Sequence, residues 1–315
     1  MRQRRLAQRD ARPQPISGIQ LTQIRREPML AKEEYVEQAY LFKSLCERTS
    51  SNEPIQDLLV KLKEELLVTT KLPMAVDFIL AELNHNGTMA SALRRMLHYF
   101  THFQTFLIEE AERESGRFDI LTAFAILHRE SELRAKQIGC SAIFFYQFEA
   151  ICRNRLRYDY GLQAMSLDPV YDEVWKKWIL AARKKIEAVG LADLIYVHSE
   201  HYVAQQRRLH RDAVETPDPL LFGDQEGKIA LANRNKDQTY LFSALQRQLD
   251  YPAAPKPKKR DETIDLLPRM LRQIERLEVR VKLLEEEQRE SGIDLSKFME
   301  PGKYKLPEDE DDNPS

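Results

Sequence analysis

Residues 139–161 read GCSAIFFYQFEAICRNRLRYDYG, and no other stretch of the chain is as densely apolar. Ile143, Phe144, Phe145, Tyr146 and Phe148 fall within six residues, and Ile151, Cys152 and Leu156 follow at helical spacing. A segment this apolar has to be central to a core, and the neighbouring elements are expected to wrap it. One charged pair interrupts it, Glu149 and Arg153, spaced i,i+4. Glu149 shares a stripe with Phe145, Cys152 and Leu156. Its carboxylate is therefore expected to be buried, and a buried charge must be paired, here with Arg153 or Arg155. An ion pair that fixes helix register is the simpler reading; a catalytic acid with a raised pKa is the other.

Outward from this stretch, helical periodicity dominates in both directions. Residues 27–48 carry Tyr35, Val36, Ala39, Phe42 and Leu45 along one side of a first helix. A second, at about 54–70, places Leu58, Leu59, Leu62 and Leu66 at i,i+3/i+4 spacing behind Pro54. Pro73 opens a third, which Asn86-Gly87 closes as a left-handed cap. Residues 88–116 read as one or two helices, and Asp119 caps the next. Beyond the central stretch, Asp168-Pro169 is expected to start a helix carrying Trp175, Trp178, Ile179 and Ala182, with Gly190 at its end. Residues 192–212 read as one long helix, 213–236 as irregular, and Asp237 as the cap of a last helix whose QTYLFSAL echoes QAYLFKSL at 38–45. Only 10 glycines in 315 residues argue against a turn-rich β fold. The fold class expected is all-α, a multi-helical globular domain at 27–250 followed by a C-terminal coiled-coil helix.

The ends differ in charge. Residues 1–26 carry seven Arg against Asp10 and read as a disordered basic arm; 292–315 end in LPEDEDDNPS and read as a disordered acidic tail. Between domain and tail, 251–260 reads as an extended Pro/Lys linker and 261–291 as a coiled-coil helix. Leu267, Ile274, Val281 and Gln288 fall on heptad a positions, and Met270, Leu277 and Leu284 on d. Ile and Val at a with Leu at d favour parallel two-stranded coils, so a homodimer or a partner helix is expected through 264–290. The competing arrangement is one amphipathic helix folded back on its own domain, which the extra apolar Leu271 and Leu283 would suit.

Catalytic signatures are thin. His98 and His102 stand i,i+4 with Glu109 two turns on, a weak metal candidate that lacks the Glu after the first His. Glu82 and His85 make one Glu-x-x-His, where a di-iron bundle needs two. His198, Glu200, His201 and Tyr202 cluster near Leu194–Val197 in an order that matches no zinc-protease motif. Cys152 sits among apolar neighbours, which points to an inert thiol. No P-loop, G-x-G-x-x-G or G-x-S-x-G occurs, and no cofactor is expected.

A pI of about 6.4 argues against nucleic-acid binding by the domain and leaves the Arg-rich arm as the one place for weak phosphate contacts. No run is long and apolar enough to span a membrane. Three cysteines without C-x-x-C spacing suggest a reduced, cytoplasmic protein.

The runs REPMLAKEEYVEQAYLF (26–42), FEAICRNRLRYDYG (148–161) and LLFGDQEGKIALANRNKDQTYLFSALQRQL (220–249) resemble a group of uncharacterised bacterial proteins of planctomycete type. The resemblance covers about 25–252. It implies a bacterial cytoplasmic setting and assigns no catalytic residue. The function expected is interaction: a non-enzymatic scaffold assembling through its coil. The alternatives are a ligand-binding or enzymatic site near Glu149, Arg153 and Arg155, or nucleic-acid contact through the arm.

Overall fold

Every residue from Ala142 to Ile151 is buried, so the helix Cys140–Arg153 is enclosed on all sides as its composition demands. The computed structural model describes residues 29–49, 54–113, 118–186, 189–209 and 219–257, together with 274, 277, 280–282, 284 and 285. The chain forms two units, Met1–Pro257 and Lys258–Ser315.

The first unit is all-α. In chain order its helices are α1 (Lys32–Arg48), α2 (Ile55–Glu65), α3 (Leu72–Asn86), α4 (Met89–Arg95), α5 (His102–Glu112), α6 (Ile120–Ala135) and α7 (Cys140–Arg153). They continue as α8 (Tyr158–Ser166), α9 (Glu173–Lys185), α10 (Leu191–Val197), α11 (Glu200–Leu209), α12 (Asp224–Ala232) and α13 (Gln238–Leu249). Among the described residues the one β-type pairing is an isolated bridge between Ser199 and Phe222.

Helix boundaries follow local chemistry. The Asp119 and Asp237 side chains accept backbone N–H bonds from Thr122 and Thr239, and Gly87 ends α3 at φ 72°. Of the one or two helices expected at 88–116, two form, because Thr101 and Gln104 close a capping box that starts α5 anew. Asp168 does not cap the next helix; α9 starts at Glu173, where the Asp172 side chain accepts the Trp175 N–H. The echo between 38–45 and 238–245 holds in packing: Leu41, Phe42 and Leu45 are buried, as are Leu241, Phe242 and Leu245.

Around α7 the core is aromatic. Phe144 stacks on Phe148 at 5.9 Å and meets Trp178 edge-on at 5.3 Å, while Phe145 lies 5.6 Å from Phe222. Phe222 also touches Trp175 and Trp178, at 5.5 and 5.2 Å. Its delivery explains two departures from the sequence reading. The expected single helix at 192–212 breaks at His198–Ser199, because the 221–222 backbone donates to the His198 carbonyl and the Glu200 N–H donates to the Phe222 carbonyl. The expected irregular stretch contains α12, whose Gly227 lies against that break; a Cβ there would fall 2.7 Å from Ser199 Cβ and 2.6 Å from His201 Cβ.

The chain leaves α7 through a Schellman turn. The Arg155 N–H donates to Cys152 O at 3.3 Å and the Leu156 N–H to Ile151 O at 3.0 Å, with Arg155 left-handed at φ 52°. A side chain at that φ costs about 1–2 kcal/mol, and Arg155 is exposed. Arg155→Gly is therefore expected to raise stability by about 0.5–1 kcal/mol. Gly227→Val forces a collision into a closed contact and is expected to cost at least about 1–3 kcal/mol. Urea titrations followed by the buried Trp175 and Trp178 would read both; an Arg155→Gly chain no more stable than the parent would refute the cap argument.

Candidate functional site

Glu149 is fully buried and serves as the junction of three segments. Arg153, one turn on, forms the ion pair expected of it. From α13 the Gln246 Nε2 donates to both carboxylate oxygens, at 2.7 and 2.8 Å, and the Ala254 N–H donates at 3.4 Å. Arg155 is not part of this site: its left-handed backbone turns it to solvent. The charge next along the chain, Arg157, pairs instead with Glu110 of α5. Both oxygens of Glu149 are thus engaged by the chain's own donors, which is the geometry of a clamp.

The clamp reaches into the expected linker. Tyr251 and Ala254 are buried, and the Asn154 Nδ2 donates to the Pro255 carbonyl at 3.0 Å. The stretch 251–257 accordingly belongs to the first unit, and 258–260 lie outside the described residues. Burial pushes the Cys152 thiol up to about 12, with the Glu149 charge adding to it, so Cys152 is protonated and inert at neutral pH.

A second buried network joins α6, α7 and the turn after α8. Arg134 forks onto Asp168, with Nη1 3.2 Å from Oδ1 and Nη2 closing on Oδ2, and also binds Glu130 at 2.8 Å. The Gln147 Nε2 donates to Glu130 at 2.7 Å and to Asp168 at 3.1 Å, and Tyr171 donates to the Gln147 Oε1 at 2.7 Å. Burial alone would lower the Arg134 pKa, but Asp168 and Glu130 outweigh it and hold the guanidinium charged. The Glu130–Arg134 spacing of i,i+4 on a buried stripe was visible in the sequence. That Asp168 and Gln147 complete the network was not, because nothing local links them.

The histidine candidates do not converge. His98 lies exposed in the turn between α4 and α5 while His102 opens α5, so the helix break destroys the i,i+4 face. Glu109 pairs with Arg94. Glu82 is engaged by Arg95, Asn86 and Ser91, and His85 is exposed. Among the described residues no three His, Cys, Asp or Glu side chains gather to hold a metal ion, and no helix is long and apolar enough to cross a membrane.

The 198–202 cluster has separate duties. His201 Nδ1 faces Asp224 Oδ1 at 2.9 Å, and His198 Nδ1 donates to the Pro219 carbonyl at 2.8 Å. Burial depresses the His198 pKa below 6.5. The unfolded chain therefore binds that proton more readily, and the stability it contributes is full above pH 6.5 and lost as pH falls toward the folded value. His198→Gln is expected to flatten the loss of stability in that acid window, measurable as urea midpoints across pH 7.5 to 5; an unchanged slope would show that His198 does not titrate with folding.

Glu149→Gln leaves Arg153, itself mostly covered, without its counter-charge. A cost of about 3 kcal/mol follows, with faster protease cleavage at 252–257 as the clamp loosens. A cost below about 0.5 kcal/mol with unchanged cleavage would remove the clamp reading.

Compared with protein-family models, with curated proteins and with solved structures, the chain matches none.

Proposed function

We propose that the protein is a non-enzymatic interaction protein that self-associates through a two-stranded coiled coil at 264–290. One observation carries this reading. Ile274, Leu277, Val281 and Leu284 are helical and 50, 60, 52 and 53% exposed. They are consecutive a and d residues of the heptad, and each leaves about half of its surface open to water. A short coil of this kind is marginal alone and becomes stable when a second copy covers the seam. Leu267, Met270 and Gln288, the remaining seam positions, lie outside the described residues, as do the arm at 1–26 and the tail at 292–315.

The first unit supports a binding role over a catalytic one. Glu149, the candidate for an enzymatic site, is already saturated by Arg153, Gln246 and the 254 backbone. Nucleic-acid contact through the arm rests on its seven Arg alone.

The test is sedimentation equilibrium on the full chain and on full-length Leu277→Lys. A dimer for the parent and a monomer for the variant are expected, because a lysine at d buries a charge in the seam. Equal masses for the two chains would sink the proposal.

A further inference from the structure

Helices α1 and α6 pack antiparallel along most of their length: Tyr35 senses the Arg134 charge, His128 Nδ1 lies 2.9 Å from the Ala39 carbonyl, and Cys46 Sγ lies 3.5 Å from the Leu121 carbonyl. On their outer side they leave a trough of about 400 Å³. Its floor is Val36, Ala39, Tyr40 and Ala135, and Lys32, Lys43 and Lys136 stand around it. Val36 lies on the apolar stripe of α1, yet it is 48% exposed, and Tyr40 is 38% exposed. These two stand one helical turn apart, as anchors that an opposing helix would interleave.

Three of the charged side chains that line the trough are lysines and one is a carboxylate; a further carboxylate, Glu65, held by Arg48, accepts the Tyr40 hydroxyl. Glu132, its single carboxylate, is taken by Arg129 at 2.8 Å and faces His128 at 3.7 Å. Lys32, Lys43 and Lys136 make no ion pair among the described residues, so their charges stay open to an incoming acid. From Lys32 to Lys43 the trough runs about 16 Å, three turns of helix. A small amphiphile would leave much of itself in water over so open a floor. A helix laid between the two ridges would cover Val36 and Tyr40, while its flanks met the lysines, whose stems extend the apolar surface.

We propose that the α1–α6 trough is a docking site for an acidic amphipathic helix of a partner protein, with apolar residues at i,i+4,i+7 on one face and Asp or Glu on the flanks. This second surface does not rest on the coiled coil, and the two can fail separately.

Fluorescence anisotropy tests it on the full chain, with a labelled peptide of about 14 residues carrying Leu on one face and Glu on both flanks. A twin with Lys for Glu serves as the charge control. The Glu peptide is expected to bind with a Kd on the order of 10–100 μM that weakens with salt, and the Lys twin not to bind. Lys32→Glu with Lys43→Glu is expected to weaken binding about tenfold or more, and Val36→Asp as much; all three positions are exposed, and urea midpoints equal to the parent's are expected for both variants. Undiminished binding by full-length Leu277→Lys supports the trough, and loss there would assign the peptide to the coil and overturn the proposal. Equal binding of both twins, no saturable binding of the Glu peptide, or binding of decanoate in its place would overturn it as well.

Discussion

A helix enclosed on every side tolerates a polar side chain only where another element delivers its partner. Helix α7 carries two such side chains on faces roughly opposite to one another, Gln147 and Glu149, and much of the first unit is positioned by satisfying them. Gln147 gathers Glu130 and Asp168, with Arg134 between the two carboxylates, so α6 and the turn after α8 have one register against α7. Glu149 gathers Gln246 and the 254 backbone, which sets α13 and the segment after it. Apolar packing alone would allow α6 and α13 to slide by a turn at modest cost. A slide would strand a carboxylate in the core, which costs several kcal/mol.

Carboxylates also do the work that glycine-rich turns do in other folds. With few glycines, the chain ends its helices in tight turns whose backbone donors need acceptors. Helix α1 supplies two of them: Glu37 accepts the Leu67 N–H at 2.9 Å and Glu34 the Lys71 N–H at 2.8 Å. Glu34 also accepts the Tyr99 hydroxyl at 2.6 Å, drawing the turn between α4 and α5 onto α1. Glu112 at the end of α5 accepts the Met89 and Ala90 N–H groups at the start of α4, where the helix dipole favours a negative charge. Burial raises the Glu112 pKa even so. These acids lie far in sequence from the groups they satisfy, so each bond closes a loop between helices.

This pattern sets what could be read from the sequence. The all-α class, the centrality of 140–151, the caps at Asp119, Asp237 and Gly87, and the Glu149–Arg153 pair were legible, because each rests on spacing within one or two turns. What escaped depends on distant partners. Asp168 reads locally as a cap, since Asp before Pro is a strong start signal, yet Arg134, 34 residues away, claims it. Residues 192–212 keep helical periodicity across His198, and the break exists because Phe222 must reach Trp175 and Trp178. Gly223 and Gly227 suggest a loop, whereas Gly227 is in a helix that needs a bare backbone to approach Ser199. Arg155 looked available to Glu149 by distance along the chain, and only the left-handed turn removes it. The metal candidates failed for a related reason: a capping box at Thr101 outweighed the continuous periodicity that had placed His98 and His102 on one face.

The same logic separates structural charge from charge left for binding. Inside the first unit, Glu149, Asp168 and Arg134 face chain-supplied partners, and they hold helices in register. A ligand entering there would have to displace bonds on which the fold depends. On the surface the arrangement reverses between α1 and α6, where ammonium groups surround apolar side chains and the one acid is already engaged. Charge near an open apolar floor adds little to folding, because solvent screens it. It does govern what can approach, since a neighbour of the wrong sign must desolvate against three cations while one of the right sign is drawn in. A core that pairs its own buried charges leaves selectivity as a property of the surface.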